Sequence, residues 1–242
     1  MNSYNANDVI QELKKLSTPD RAKTNAWFFK TGEGQYGYGD KFLGVTVPEQ
    51  RVVAQMFKEL DYNEIRSLLH SEVHEHRLTA LLILVNKFKK ANEEERKKIV
   101  DFYLNNIRTV NNWDLVDSSA PQILGSYLKD KEKDILLKFS RSDDLWEKRI
   151  AIVSTQAFIK NKDTKHTYAI SKILLNDPND LIHKATGWML REAGAVNEKE
   201  LVEFLEVYAP KMPRTMLRYA IEKFDADRRK HFLSIPAIKK QV

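Results

Sequence analysis

Arg149-Ile150-Ala151-Ile152 and Lys184-Ala185-Thr186-Gly187 share one pattern: a charged or polar residue, small residues, then an apolar helical run. The pattern recurs at Arg77-Leu78-Thr79-Ala80, Asp117-Ser118-Ser119-Ala120 and Arg218-Tyr219-Ala220-Ile221. Measured between first residues, the five copies lie 40, 32, 35 and 34 positions apart. Four of them follow a polar or proline-containing start: Asn111-Asn112, Ser142-Asp143-Asp144, Asp177-Pro178-Asn179-Asp180, and Pro210 with Pro213. Such residues cap, or need not fill, the free N–H positions of a first helical turn. Other apolar segments, such as residues 135–139 and 169–175, fall between the copies. The unit is therefore two helices, and its period is that of a HEAT-like solenoid. The small residues let paired helices approach closely.

The rest of the chain agrees with an all-α fold. Leu68, Leu69 and Val73, then Leu78, Leu81, Leu82 and Val85, keep three- and four-residue spacings, and no alternating run is long enough for a sheet. Five of the 8 glycines lie at 32, 34, 37, 39 and 44. We expect a single domain over residues 1–242, with a Gly-rich loop at about 31–41 and a C-terminal tail at about 226–242. Gly32-Glu33-Gly34-Gln35-Tyr36-Gly37 matches G-x-G-x-x-G, but it lacks the flanking strands of a dinucleotide site and reads as a mobile loop.

Composition excludes several classes of function. No apolar run approaches the roughly 18 residues of a membrane span. The first residues have no basic-then-apolar layout, so no secretory signal is expected. Cysteine is absent, which removes disulfides, thiolate-bound zinc and thiol catalysis and suits a reducing compartment. His70, His74 and His76 lack the H-e-x-x-H spacing and read as solvated rather than as metal ligands. The net charge of +6 is compatible with a polyanionic partner without demanding one.

Its distribution is more telling. Second helices of successive repeats line the inner face of such a solenoid, so Arg77, Asp117, Arg149, Lys184 and Arg218 are expected to form a row across it. Arg191 lies two turns beyond Lys184, and Arg214 one turn before Arg218. The row reads as a concave basic groove for a polyanion. The competing reading is that these charges tie neighbouring repeats together. Asp117 would repel a phosphate backbone, and Trp113 shares its helix face one turn earlier, with Trp188 one turn after Lys184. Two tryptophans beside one carboxylate in a cationic row suggest a site, whereas Trp146 reads as core and Trp27 is less telling.

Four segments carry a resemblance to a known family: Asn112-Trp113-Asp114-Leu115-Val116-Asp117-Ser118-Ser119-Ala120-Pro121, Leu145-Trp146-Glu147-Lys148-Arg149, Gly187-Trp188-Met189-Leu190-Arg191-Glu192, and Arg214-Thr215-Met216-Leu217-Arg218 through Phe224. With Phe42-Leu43-Gly44-Val45, they resemble the bacterial AlkD-type DNA alkylation repair glycosylases over residues of about 20 to 225. The resemblance implies excision of positively charged N-alkylated purines, of the N3-methyladenine and N7-methylguanine type, from double-stranded DNA in base excision repair. It implies Trp113, Asp117 and Arg149 as catalytic residues. Trp188, Lys184, Arg191, Arg214, Arg218 and Phe28 become the DNA-binding ones, Phe28 standing where the family tends to place a tyrosine. It implies no metal or cofactor, no membrane, and a monomer in the cytoplasm associated with the nucleoid. The alternatives are a non-catalytic binder of branched or distorted DNA and a HEAT protein scaffold.

Overall fold

The computed structural model describes residues 4–237, which are helical with no strand among them. The described chain groups into two compact units that divide between residues 123 and 124.

The first unit contains α1 (Ala6–Lys15), α2 (Pro19–Phe28), α3 (Val47–Met56), α4 (Tyr62–Leu69), α5 (His74–Lys90), α6 (Glu93–Asn105) and α7 (Trp113–Ser119). Local chemistry starts most of them. Asn5 with Asp8, and Thr46 with Glu49, form reciprocal capping boxes on α1 and α3, while Asp61, Asn92 and Asn112 cap α4, α6 and α7. The α5 helix is buried almost all round from His74 to Val85 and is the core of the unit, packed against α3, α4 and α7. Gly44 shows why the Phe42–Val45 segment has its composition. Its φ is +79°, and a Cβ there would stand 2.2 Å from the Thr18 carbonyl oxygen and 2.6 Å from the Ala22 nitrogen. The expected Gly-rich loop connects α2 to α3. It is tied to the start of α5, where Lys41 takes and gives backbone hydrogen bonds with Glu72 and His74.

After α7 the chain makes a π turn, Pro121–Gly125, because Pro121 has no N–H to give the carbonyl of Asp117. The second unit then holds α8 (Ser126–Leu128), α9 (Asp134–Phe139), α10 (Leu145–Ser154), α11 (Gln156–Ile159), α12 (Lys165–Leu174), α13 (Asp180–Val196), α14 (Glu198–Tyr208), α15 (Arg214–Ala220) and α16 (Ala226–Ser234). Asp144 and Asn179 cap α10 and α13 as their sequence positions predict. The α9, α12 and α13 helices pack on α10, and α13 lies against α15 over a long seam. That seam closes at Gly187, where a Cβ would meet the Met216 carbonyl oxygen at 2.5 Å and the Tyr219 Cβ at 2.5 Å. Leu190, Leu205, Met216 and Leu217 fill the core around it. The segment expected as a tail from residue 226 is helical to Ser234, and Phe232 is buried in that same core; residues 238–242 lie outside the described range.

Candidate functional site

In the first unit the expected residues Trp113, Asp117 and Phe28 come from two elements. Trp113 opens α7, and Asp117 lies one turn later on the same face; both are half-buried. Phe28 ends α2, is 52% exposed, and meets the edge of the Trp113 ring with centroids 5.9 Å apart. Trp27 beside it is 72% exposed, with the Lys30 ammonium over its ring at 4.9 Å.

Behind Trp113 stands an aromatic stack that the sequence did not announce. Phe29 lies face to face with Trp113 at 5.1 Å and 11°, and Phe42 stacks on Phe29 at 5.1 Å and 21°. The imidazole of His74 faces Phe42 at 4.8 Å. His74 is itself held between two carboxylates, Nδ1 at 3.1 Å from Asp40 and Nε2 at 2.8 Å from Asp114. Arg77 donates to the other Asp40 oxygen at 2.7 Å and to the Ser71 carbonyl at 2.9 Å. Burial pushes the imidazole toward its neutral form, but the charge and hydrogen bond of Asp114 and the bond to Asp40 outweigh it and raise the His74 pKa to about 9. Burial raises Asp40 in the same way, and the bonds and charges of His74 and Arg77 reverse it, holding this carboxyl below its usual range. The adjacent Glu75, also buried, accepts from the backbone N–H groups of Leu43, Gly44 and Val45.

These contacts correct two expectations. His74 and His76 are buried rather than solvated; only His70 of the three is exposed. His76 bonds Ser71 Oγ, and burial lowers its pKa to about 4, so it is neutral. Arg77 is 4% exposed and is committed to Asp40, so it ties α5 to the preceding loop and is no part of a polyanion-facing row.

The second unit carries the other expected residues on α10, α13 and α15. Arg149 is 5% exposed and donates to the Leu181 carbonyl at 2.8 Å, joining α10 to the first turn of α13. Its neighbour Lys148 forms a part-buried ion pair with Asp177 at 2.5 Å. Lys184 pairs with Asp180 one turn earlier at 2.7 Å, and Trp188, one turn later, is half-buried. Arg191 pairs with Glu192 at 3.1 Å and with Glu222. Arg214 donates to the Ile235 carbonyl at 2.6 Å, and its other terminal nitrogen is buried without a hydrogen-bond partner. Arg218 is exposed and touches Thr215 Oγ1 at 3.3 Å. The row is thus uneven: Arg149 and Arg214 brace helices, Arg191 is paired, and Lys184 and Arg218 reach solvent. Trp146, expected in the core, is half-buried. No group of three or more metal-ligating side chains occurs among the described residues, and no described helix is long and apolar enough to cross a membrane.

A family model described as DNA alkylation repair enzyme matches residues 9–224 of the chain. Among solved structures, a protein described as a predicted DNA alkylation repair enzyme from Enterococcus faecalis superposes with a TM-score of 0.68. It is 15% identical in sequence, and the match covers 87% of this chain and 97% of that one, so it shows the fold. No curated protein matches the sequence.

Proposed function

Because the chain belongs to the DNA alkylation repair enzyme family, we propose that it is a monofunctional glycosylase. It releases positively charged N-alkylated purines from double-stranded DNA by hydrolysing the N-glycosidic bond, acting as a monomer on the nucleoid. The observation that carries this reading is the pairing of Trp113 with Asp117 one turn apart on α7, at the surface edge of a rigid aromatic stack, with Phe28 exposed beside it.

The chemistry follows from the substrate's charge. Breaking the bond between the sugar C1′ and the purine nitrogen builds positive charge on the deoxyribose. An alkylated purine that is already cationic departs as a neutral base, so no general acid is needed. One carboxylate suffices: Asp117 stabilises the sugar cation and orients the water that attacks C1′, whose proton passes to the carboxylate or to solvent. The face of Trp113 stabilises the same cation, and Trp188 is a further ring proposed to face DNA. Arg149, steadied by the Leu181 carbonyl, holds a flanking phosphate. Lys184 and Arg218, the cations of the row that reach solvent, supply further contacts to the backbone.

The test is release of bases from methylated duplex DNA by the wild type and by Asp117→Asn. The substitution keeps size and removes charge, so excision falls a hundredfold or more, about 3 kcal/mol of transition-state stabilisation, while duplex affinity holds or improves. Uracil and other neutral lesions are not released. Wild-type excision by Asp117→Asn would refute the assignment of the carboxylate, and a wild type that binds DNA but releases no cationic purine would make the protein a binder.

A further inference from the structure

The start of α7 is referred to one buried group by three separate routes. The first is a ring cluster in which Phe29, face to face with Trp113, meets both Phe42 and the His74 imidazole directly. The second is covalent: Asp114, next to Trp113, accepts from His74 Nε2 at 2.8 Å. The third runs through Asn112. Its side-chain oxygen accepts from the Trp113 N–H at 2.8 Å, and its amide donates at 3.3 Å to the same Asp40 oxygen that faces His74 Nδ1. A carboxylate cannot donate, so both ring nitrogens of His74 must carry a proton to satisfy Asp40 and Asp114 together. Arg77 pairs with Asp40, so the hydrogen-bonded set is Asp40, His74, Arg77 and Asp114, while the buried Glu75 beside it is held by backbone N–H groups.

We propose that His74, as a doubly donating imidazolium, and Asp40 are positioning residues that fix the plane of the Trp113 ring where it faces substrate. Neither touches the reacting atoms. The functional part of the inference rests on the glycosylase reading; the geometric part does not. The neutral imidazole would turn a lone pair toward one carboxylate and release one of the three routes. The charged groups around His74 are Asp40 from the loop, Glu75 and Arg77 from α5, Asp114 from α7 and Arg21 of α2 across a cavity of about 160 Å³. Of these, Glu75 is engaged by backbone N–H groups, so the imidazolium answers to Asp40 and Asp114.

The experiment labels the four tryptophans with 5-fluorotryptophan and assigns the Trp113 line in the 19F spectrum by Trp113→Phe. In His74→Gln the Trp113 line shifts or broadens, and release of methylated purines falls ten- to a hundredfold in kcat with duplex affinity unchanged. The double variant His74→Gln/Asp114→Asn rebuilds a neutral relay, Asn to Gln to Asp40, with Arg77 still matched to Asp40; it returns both the line and the rate toward wild type. If His74→Gln does not fold, the wild type decides: its Trp113 line moves as pH rises through about 9 while those of Trp27, Trp146 and Trp188 stay. An unmoved Trp113 line in folded His74→Gln, or a flat one to pH 10, overturns the proposal. So does a displaced ring with an undiminished rate. A wild type without glycosylase activity refutes the function above instead, and the fluorine spectra still judge the positioning.

Discussion

Gly187→Ala separates packing from intrinsic helix preference because the two demand opposite signs. In the middle of α13, alanine is favoured over glycine by about 1 kcal/mol on propensity alone. The added Cβ, however, would sit 2.5 Å from a backbone oxygen of α15 and 2.5 Å from a Cβ of the same helix. Neither atom is the end of a flexible side chain, so the helices must part by roughly 0.5–1 Å. A gap of that size forfeits a quarter to a half of each contact along the seam. Because both clashing atoms are rigid, the overpacking cost falls in the upper part of the usual range, about 2–3 kcal/mol, which leaves a net destabilisation of about 1–2 kcal/mol once propensity is offset. For a chain of this length the melting temperature should fall by roughly 3–6 °C. Thermal unfolding followed by circular dichroism at 222 nm measures it. A rise of a few degrees would mean that propensity governs the position and that α13 and α15 are not in close contact there.

Two further outcomes follow from charge. His74 has a folded pKa of about 9 against an ordinary 6.5, so it contributes stability that is complete below 6.5 and is lost as pH rises through 9; the span corresponds to about 3 kcal/mol. Melting temperature should therefore decline from pH 7 to 10 in the wild type and much less in His74→Gln, and equal declines would refute the buried imidazolium. Arg218 is exposed on α15, so Arg218→Ala should reduce the slope of log affinity for duplex DNA against log salt by about one, while Arg77→Ala, removing a buried brace, should lower stability without that change of slope. An unchanged slope in Arg218→Ala removes it from the interface.

Much of the helical framework was legible because its signals are local. Asn112, Asp144 and Asn179 cap helices where their residue types and the apolar runs after them indicate, and Gly187 marks a close approach inside its repeat. Side-chain fate was less legible, because it depends on partners distant in sequence. Arg77 looks like a groove cation until Asp40, 37 positions earlier, folds onto it. The three-histidine stretch looks solvated because nothing nearby reveals that Asp40 and Asp114 converge on His74 from both sides. The one local hint was Asp114 itself, between Trp113 and Leu115 at a helix start, where a carboxylate adds to the cap already made by Asn112. Arg149 stands in a segment recognisable by resemblance, yet its burial against the Leu181 carbonyl is set by α13 and has no trace around Arg149.

The buried cluster also has an order of assembly. Ribosomal synthesis delivers Phe29, Asp40, Phe42, His74 and Arg77 well before Trp113 and Asp114. Until α7 is made, His74 Nε2 lacks the carboxylate that answers it, and the Phe29 ring lacks the indole that covers it. A buried charged donor left without its acceptor is costly, so this arrangement disfavours early closure and leaves the imidazole free to shed its proton. The emergence of a single short helix then supplies the missing carboxylate, the capping amide and the covering ring at once. The first unit thereby gains the acceptor for His74 in the same step that delivers Trp113, and a chain broken off before that residue lacks both.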